Sequence, residues 1–274
     1  MNTVPVTVVV PTKNEEANLD ECLSRLKNFQ EVIVVDSEST DRTIDIAMSH
    51  GVKVINFVWD GKFPKKRNWV LMNCELNAEW VLFLDADEFV SVKFCESLES
   101  ILRDTVHNGF WLNYEIYFLG KKLKHGIKQR KLALFRSDLG RYEKIEESNW
   151  SLLDMEVHEH PIVSGSVGEI SVPIEHCDYS GIFKFVNRHC EYARWEASRF
   201  ESLGNSHVEM LTNRQKFKYK NIEKRWFPVC YFFVTYLVKM GFMDGWAGFQ
   251  YAFYKAWYFF TIQNIIKERR LGVG

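Results

Sequence analysis

Asp85 and Asp87 stand one residue apart, directly after the apolar run Trp80-Val81-Leu82-Phe83-Leu84. A strand's side chains alternate faces, but where the strand runs out the chain can turn, and two carboxylates spaced by the small Ala86 can converge on a hard cation. The chemistry this pattern suits is a divalent metal held against a diphosphate. The alternative is a plain turn at a strand end.

The elements that must position this pair are legible upstream. Strand-like runs at Val4 to Val10, Glu31 to Val35, Val52 to Val58 and Trp80 to Leu84 alternate with helices starting near Asn18, Asp41 and Pro64. That order is βαβαβαβ. The near-continuous Val, Ile and Leu content of the strands predicts an α/β fold, a mostly parallel Rossmann-like sheet with helices on both faces. Ligands of such sheets bind beyond the carboxyl ends of the strands. Three polar clusters follow such ends: Pro11-Thr12-Lys13-Asn14-Glu15-Glu16, Asp36-Ser37-Glu38-Ser39-Thr40-Asp41 and Asp85-Ala86-Asp87-Glu88. Singly, Asn14, Ser39 or Asp41 could be an ordinary turn or capping residue; together they outline one crevice.

Bulk properties exclude several classes. With 274 residues and 46% hydrophobic content, the chain can bury a substantial core. A formal net charge of -1 argues against a globally basic nucleic-acid binder, so no nucleic-acid partner is expected. The six cysteines are scattered without a C-x-x-C pair, which suggests a reduced, cytosolic chain without a zinc site. No apolar stretch reaches the ~20 residues needed to span a bilayer.

The segments Val8-Val9-Val10-Pro11-Thr12-Lys13-Asn14-Glu15-Glu16, Val35 to Thr43 and Leu84 to Glu88 resemble the family 2 glycosyltransferases of the GT-A fold. Within them, Lys66-Arg67-Asn68-Trp69 and Val157-His158-Glu159 look most like the lipopolysaccharide-core β-1,4-glucosyltransferases. One departure is Glu38, where the family usually carries glycine. The resemblance implies that Pro11, Asn14, Glu15 and Asp36 hold the uridine of a nucleotide sugar, that Asp85 and Ala86 meet its ribose side, and that Asp87 binds Mn²⁺ or Mg²⁺. It also implies a base for an inverting transfer, for which Glu159 is the candidate, and a late histidine completing the metal shell, His176 ahead of His158. Glu159 could instead be one more surface acid beside Glu146, Glu147 and Glu156. Lys66 and Arg67 could contact phosphate oxygens, or together with Lys65 form a solvated helix start. Lys121 to Arg136, with Lys128, Arg130, Lys131 and Arg136, could close over the diphosphate as a basic loop or be a solvated hairpin.

Beyond residue 180 long helices are expected over Phe183 to Phe200, about Asn213 to Met240 and about Gly245 to Lys267. A catalytic domain over 1–180 would thus precede a helical region over 181–274. There, Arg214, Lys216, Lys218, Lys220, Lys224 and Arg225 adjoin aromatic-rich segments, a composition suited to the headgroup region of an anionic membrane or to packing on a protein partner. The combined expectation is an inverting, metal-dependent transferase moving a hexose, glucose from UDP-glucose, to a lipid-linked saccharide of lipopolysaccharide core or O-antigen type. It would lie peripherally on the cytoplasmic face of a bacterial inner membrane. A sugar nucleotidyltransferase would share the crevice but usually needs a glycine-rich loop after the first strand, and Pro11 to Asn18 contains no glycine. A non-catalytic membrane scaffold of the same fold is the other alternative.

Overall fold

The computed structural model describes residues 3–145, 147, 150–151, 153–156, 159–203 and 211–272. The chain forms two compact units, residues 1–120 with 128–180 and residues 121–127 with 181–274.

The first unit opens with β1 (Val4–Thr12), α1 (Leu19–Ser24), β2 (Phe29–Asp36), α2 (Thr43–Ser49), β3 (Lys53–Asn56), α3 (Lys66–Asn73) and β4 (Trp80–Phe83). These are the expected strands and helices, with ends moved by a few residues. After them come β5 (Glu88–Phe89), α4 (Val92–Arg103) and β6 (Gly109–Phe118). The short β7 (Lys121–Lys122) belongs to the second unit, and the first resumes with β8 (Gln129–Arg136), β9 (Gly140–Tyr142), β10 (Pro161–Val163) and β11 (Val167–Cys177).

One sheet runs in the order β3-β2-β1-β4-β8-β6-β11-β5. Its β1–β2, β2–β3, β1–β4 and β6–β11 pairings are parallel. Those of β4 with β8, β6 with β8 and β11 with β5 are antiparallel. The sheet is therefore mixed, its β3-β2-β1-β4 part wholly parallel.

Its unbroken apolar strands are explained by burial on two faces. On β1, Val6, Val8 and Val10 join one core cluster with Leu19, Leu23, Phe94 and Leu98, while Val9 joins another with Val70, Phe83 and Phe135. β4 divides likewise, Trp80 and Leu82 to the first cluster, Val81 and Phe83 to the second. Every position of such a strand has a core to face, so none needs to be polar.

The second unit contains α5 (Gly181–Ser202), α6 (Asn213–Asn221), α7 (Trp226–Phe233), a π-helical turn Val234–Val238, a 3₁₀ turn Gly241–Asp244 and α8 (Gly245–Leu271). The single helix expected from about Asn213 to Met240 is thus interrupted between Asn221 and Trp226. Its end falls where expected, at Met240, whose φ of +58° no α-helix accommodates. The unit has its own core of Ala193, Ala197, Ile222, Phe227, Phe259, Ile262 and Ile266. Asp244 ties in the 121–127 segment: its carboxylate accepts the backbone N–H of Lys124 at 3.1 Å and of His125 at 2.8 Å, and its carbonyl accepts Lys121 Nζ at 2.7 Å. These amides hold the Asp244 carboxyl below its ordinary range against the opposing pull of burial.

Gly248 on α8 lies against the 3₁₀ turn so closely that a Cβ would sit 2.0 Å from the carbonyl oxygen of Gly241. Backbone offers no rotamer to relieve that clash. Gly248→Ala should destabilise the chain by about 1–3 kcal/mol, read as a lowered unfolding midpoint in urea. An unchanged midpoint would show that the turn moves freely.

Candidate active site

The first two polar clusters are stitched together at the ends of β1 and β2. Asp36 is 1% exposed and accepts from Thr12 Oγ1 at 2.8 Å, Ser39 N at 2.8 Å and Ser39 Oγ at 2.6 Å. Pro11 is buried opposite Val35 in the register. Asn14, at φ +56°, accepts Thr40 N through Oδ1 at 2.8 Å, and its own N–H donates to Ser39 Oγ at 2.7 Å. The Glu15 carboxylate accepts from Asn18 Nδ2 at 2.9 Å. Glu38 has a φ of +52°, so it adopts the left-handed backbone that the family's glycine would enter freely, at roughly 1–2 kcal/mol.

The third cluster is an ionic network. Asp85 accepts Arg67 Nη2 at 2.6 Å on one oxygen and Lys131 Nζ at 2.7 Å on the other. Lys131 also pairs with Glu88, which accepts Tyr114 Oη at 3.3 Å. Burial alone would raise the Asp85 carboxyl, but Lys131 and then Arg67 outweigh it and hold it below the usual carboxylate range. Burial does win at Glu88, whose pKa rises in spite of Lys131. Lys131 stands on β8, inside the sheet, so the basic stretch from Lys121 to Arg136 is not one mobile loop: its last part is sheet, and residues 121–127 belong to the second unit.

Asp87, 5% exposed, faces a different partner. Its Oδ2 lies 3.3 Å from His176 Nε2, brought there by the β5–β11 pairing that sets His176 opposite Glu88. Burial lowers the His176 pKa, but the Asp87 carboxylate more than compensates and the net shift is upward. His176 Nδ1 is buried and has no hydrogen-bond partner among the described residues. Two donors ~2.1 Å from a metal on adjacent corners of an octahedron lie ~3 Å apart, so the 3.3 Å edge between Asp87 and His176 fits such a cation. Among the described residues no group of three or more His, Cys, Asp or Glu side chains could enclose an ion. Two protein donors, with the remaining positions left to diphosphate and water, are a common arrangement for Mg²⁺.

The start of α3 connects these groups to a third centre. Lys65 and Lys66 are 4% and 2% exposed, so neither belongs to a solvated helix start. Lys66 Nζ donates to the Thr12 carbonyl at 2.9 Å and lies 3.3 Å from Asp154 Oδ2. Lys65 Nζ lies 2.6 Å from Glu147 Oε1 and 2.9 Å from Glu159 Oε1. Glu156 caps the helix, accepting Arg67 N at 2.8 Å and Asn68 N at 3.0 Å. Glu147, Glu156 and Glu159 are therefore buried groups, not surface acids. Burial pushes the Glu147 carboxyl up, and its hydrogen bond to Glu159 and repulsion by it push further, against Lys65.

Glu159, Glu147 and Lys65 line a cavity of about 270 Å³ whose wall also includes Trp59, Phe63 and Lys144. Asp85 and Asp87 are not on that wall. Glu146 and His158 lie outside the described residues.

Residues 7–159 match the family model of glycosyl transferase family 2. The chain belongs to that family. This glycosyltransferase is 36% identical over 118 residues to an uncharacterized glycosyltransferase of Rickettsia bellii, an alignment covering 43% of the chain and 39% of the relative. It is 27% identical over 173 residues to the lipopolysaccharide core biosynthesis glycosyltransferase LpsC of Rhizobium meliloti, covering 60% of each protein. The two alignments therefore span less than two thirds of these relatives. Among solved structures, residues 1–349 of Staphylococcus aureus TarS in complex with UDP-GlcNAc superpose with a TM-score of 0.52 at 16% identity, over 99% of this chain and 92% of that one. That likeness establishes the GT-A fold.

Glu147, Glu156 and Asp154 carry no local signal that would place them in the site, because each meets the start of α3 across more than about eighty residues of chain. Glu156→Ala should leave the Arg67 and Asn68 amides unsatisfied and cost about 1–3 kcal/mol, whereas Glu156→Gln, which keeps one acceptor, should cost less. Urea denaturation of the two variants measures the difference, and equal losses would dissociate the capping from the charge.

Proposed function

We propose that this glycosyltransferase moves a hexose with inversion, glucose from UDP-glucose, to a lipid-linked saccharide of lipopolysaccharide core type. The observation that carries the reading is the pair of carboxylate centres tethered by one helix: Asp85 and Asp87 at the strand end, and Glu159 on the wall of a cavity. The acceptor class is supported by the similarity to LpsC.

Asp87 and His176 would hold Mn²⁺ or Mg²⁺, which when bound neutralises the charge growing on the departing diphosphate. Pro11, Asn14, Glu15 and Asp36 would border the uridine, and Asp85 with Ala86 the ribose. The contribution of Asp36 is then chiefly to fix the loop, since three donors already occupy its carboxylate. Asp85 keeps 27% of its side chain exposed, and Arg67 and Lys131 hold it in place. Glu159 takes the proton of the acceptor hydroxyl as that oxygen bonds to the anomeric carbon and the bond to the β-phosphate oxygen breaks. Lys65 steadies the Glu147–Glu159 pair before the proton arrives.

Release of UDP from UDP-glucose, assayed with a bacterial membrane extract as acceptor source, tests the reading. Asp87→Ala should lower turnover at least about a hundredfold, and EDTA should abolish it until Mn²⁺ or Mg²⁺ is restored. Glu159→Gln should cost about 10²–10⁴-fold in turnover while leaving UDP protection against thermal unfolding intact. Full transfer by Glu159→Gln would remove Glu159 from the base role, and release from another nucleotide sugar alone would replace the donor.

A further inference from the structure

We propose that the α7–α8 corner of the second unit inserts into one leaflet of an anionic bilayer. The proposal rests on this unit alone and does not depend on the transfer chemistry.

Along α7 and the π turn, Trp226, Val229, Phe233 and Leu237 recur at helical spacing, and all are exposed. This is an apolar stripe turned outward, the reverse of what an amphipathic helix in water presents. The stripe continues around the corner through Val238 and Phe242, and then along α8 through Trp246, Phe253 and Phe260, seven residues apart. Val238 is 69% and Trp246 70% exposed. Apolar surface of this extent on a monomer marks an interaction site.

Charge selects the partner. From Trp226 to Phe260 the only carboxylate is Asp244, which is buried and bonded to the amides of Lys124 and His125. Next to the stripe, Arg214, Lys216, Lys220, Lys224 and Arg225 are exposed, and the intervening Glu223 is paired with Arg270. An apolar, aromatic face without free acids, bordered by cations, matches a lipid surface with anionic headgroups. A symmetric contact between two copies would instead set the basic row against itself.

Geometry sets the depth. Among the described residues no single helix is long and apolar enough to cross a membrane, and the two helical arms meet at a 69° bend. The arm Trp226–Val238 has a length of ~20 Å at 1.5 Å per residue, short of the ~30 Å hydrocarbon core. The α8 arm is longer, but Lys255 interrupts its apolar residues and Phe259, Ile262 and Ile266 pack into the unit's own core, so the corner enters one leaflet and returns.

The test is flotation of the full chain with vesicles of phosphatidylcholine alone or mixed with phosphatidylglycerol, together with tryptophan quenching by bromine-labelled phosphatidylcholine. Binding to the mixed vesicles with quenching is expected. Leu237→Glu/Val238→Glu should weaken it at least about tenfold with unchanged circular dichroism and thermal unfolding. Lys220→Glu/Lys224→Glu should lose the preference for anionic vesicles, by about fivefold or more per charge. No vesicle binding by the parent chain would overturn the proposal. So would a parent chain that dimerises in solution and becomes monomeric in Leu237→Glu/Val238→Glu while its vesicle binding stays the same.

Discussion

Three consecutive cations at the start of α3 hold the first unit's polar centre together. Lys65 reaches Glu147 and Glu159, Lys66 reaches Asp154 and the end of β1, and Arg67 reaches Asp85. Because successive side chains leave a helix about 100° apart, one turn can serve three directions at once. The carboxylates they meet come from β4's end and from the 147–159 segment, and without counter-charges they could not remain buried and ionised together. Removing one partner of such a buried pair typically costs about 3–5 kcal/mol, since the other is left uncompensated. Glu156 completes the arrangement from the opposite side: its carboxylate fixes the helix start from which the three cations radiate.

This explains how far the site could be read from the chain. The strand-end carboxylates were legible because periodicity locates where a strand stops, and a strand end is where α/β sheets place ligands. His176 was legible only through resemblance, and its position depends on an antiparallel pairing of a two-residue strand that carries almost no sequence signal. The basic run Lys65-Lys66-Arg67 was ambiguous for a different reason. Exposed and buried lysines look alike in sequence, and the acids that bury these are distant, short-range neighbours only after folding. The same ignorance of partners made Glu147 and Glu156 look like surface residues.

Fold legibility also followed the physics. The βαβ half was clear because both-face burial writes continuous apolar strands, whereas β5 and β8 to β11 vary in length and direction and share no common period. In the second unit the expected helix end near Met240 coincides with a left-handed residue there, whereas the interruption between Asn221 and Trp226 falls inside a stretch whose composition suggested one continuous helix. At Glu38 the reverse holds: the departure from glycine raised the question of loop shape, and the loop keeps the glycine-like backbone. The Asp36 and Ser39 hydrogen bonds around it supply the restraint that a non-glycine residue requires there.

The two aspartates of the strand-end pair stand in different surroundings. Asp85 has a cation on each oxygen, so its charge and orientation are fixed before any ligand arrives. A metal competing for it would have to displace Arg67 or Lys131, each held by further contacts to Glu156 or Glu88. Asp87 has a basic imidazole at 3.3 Å instead, a partner that can give up its proton and itself become a ligand. Replacing that proton with a divalent ion keeps a cation between the two side chains and adds one positive charge, which an incoming diphosphate would offset. Of the two carboxylates, Asp87 is thus the one an ion could reach without displacing Arg67 or Lys131, which is why the proposed metal role falls to it.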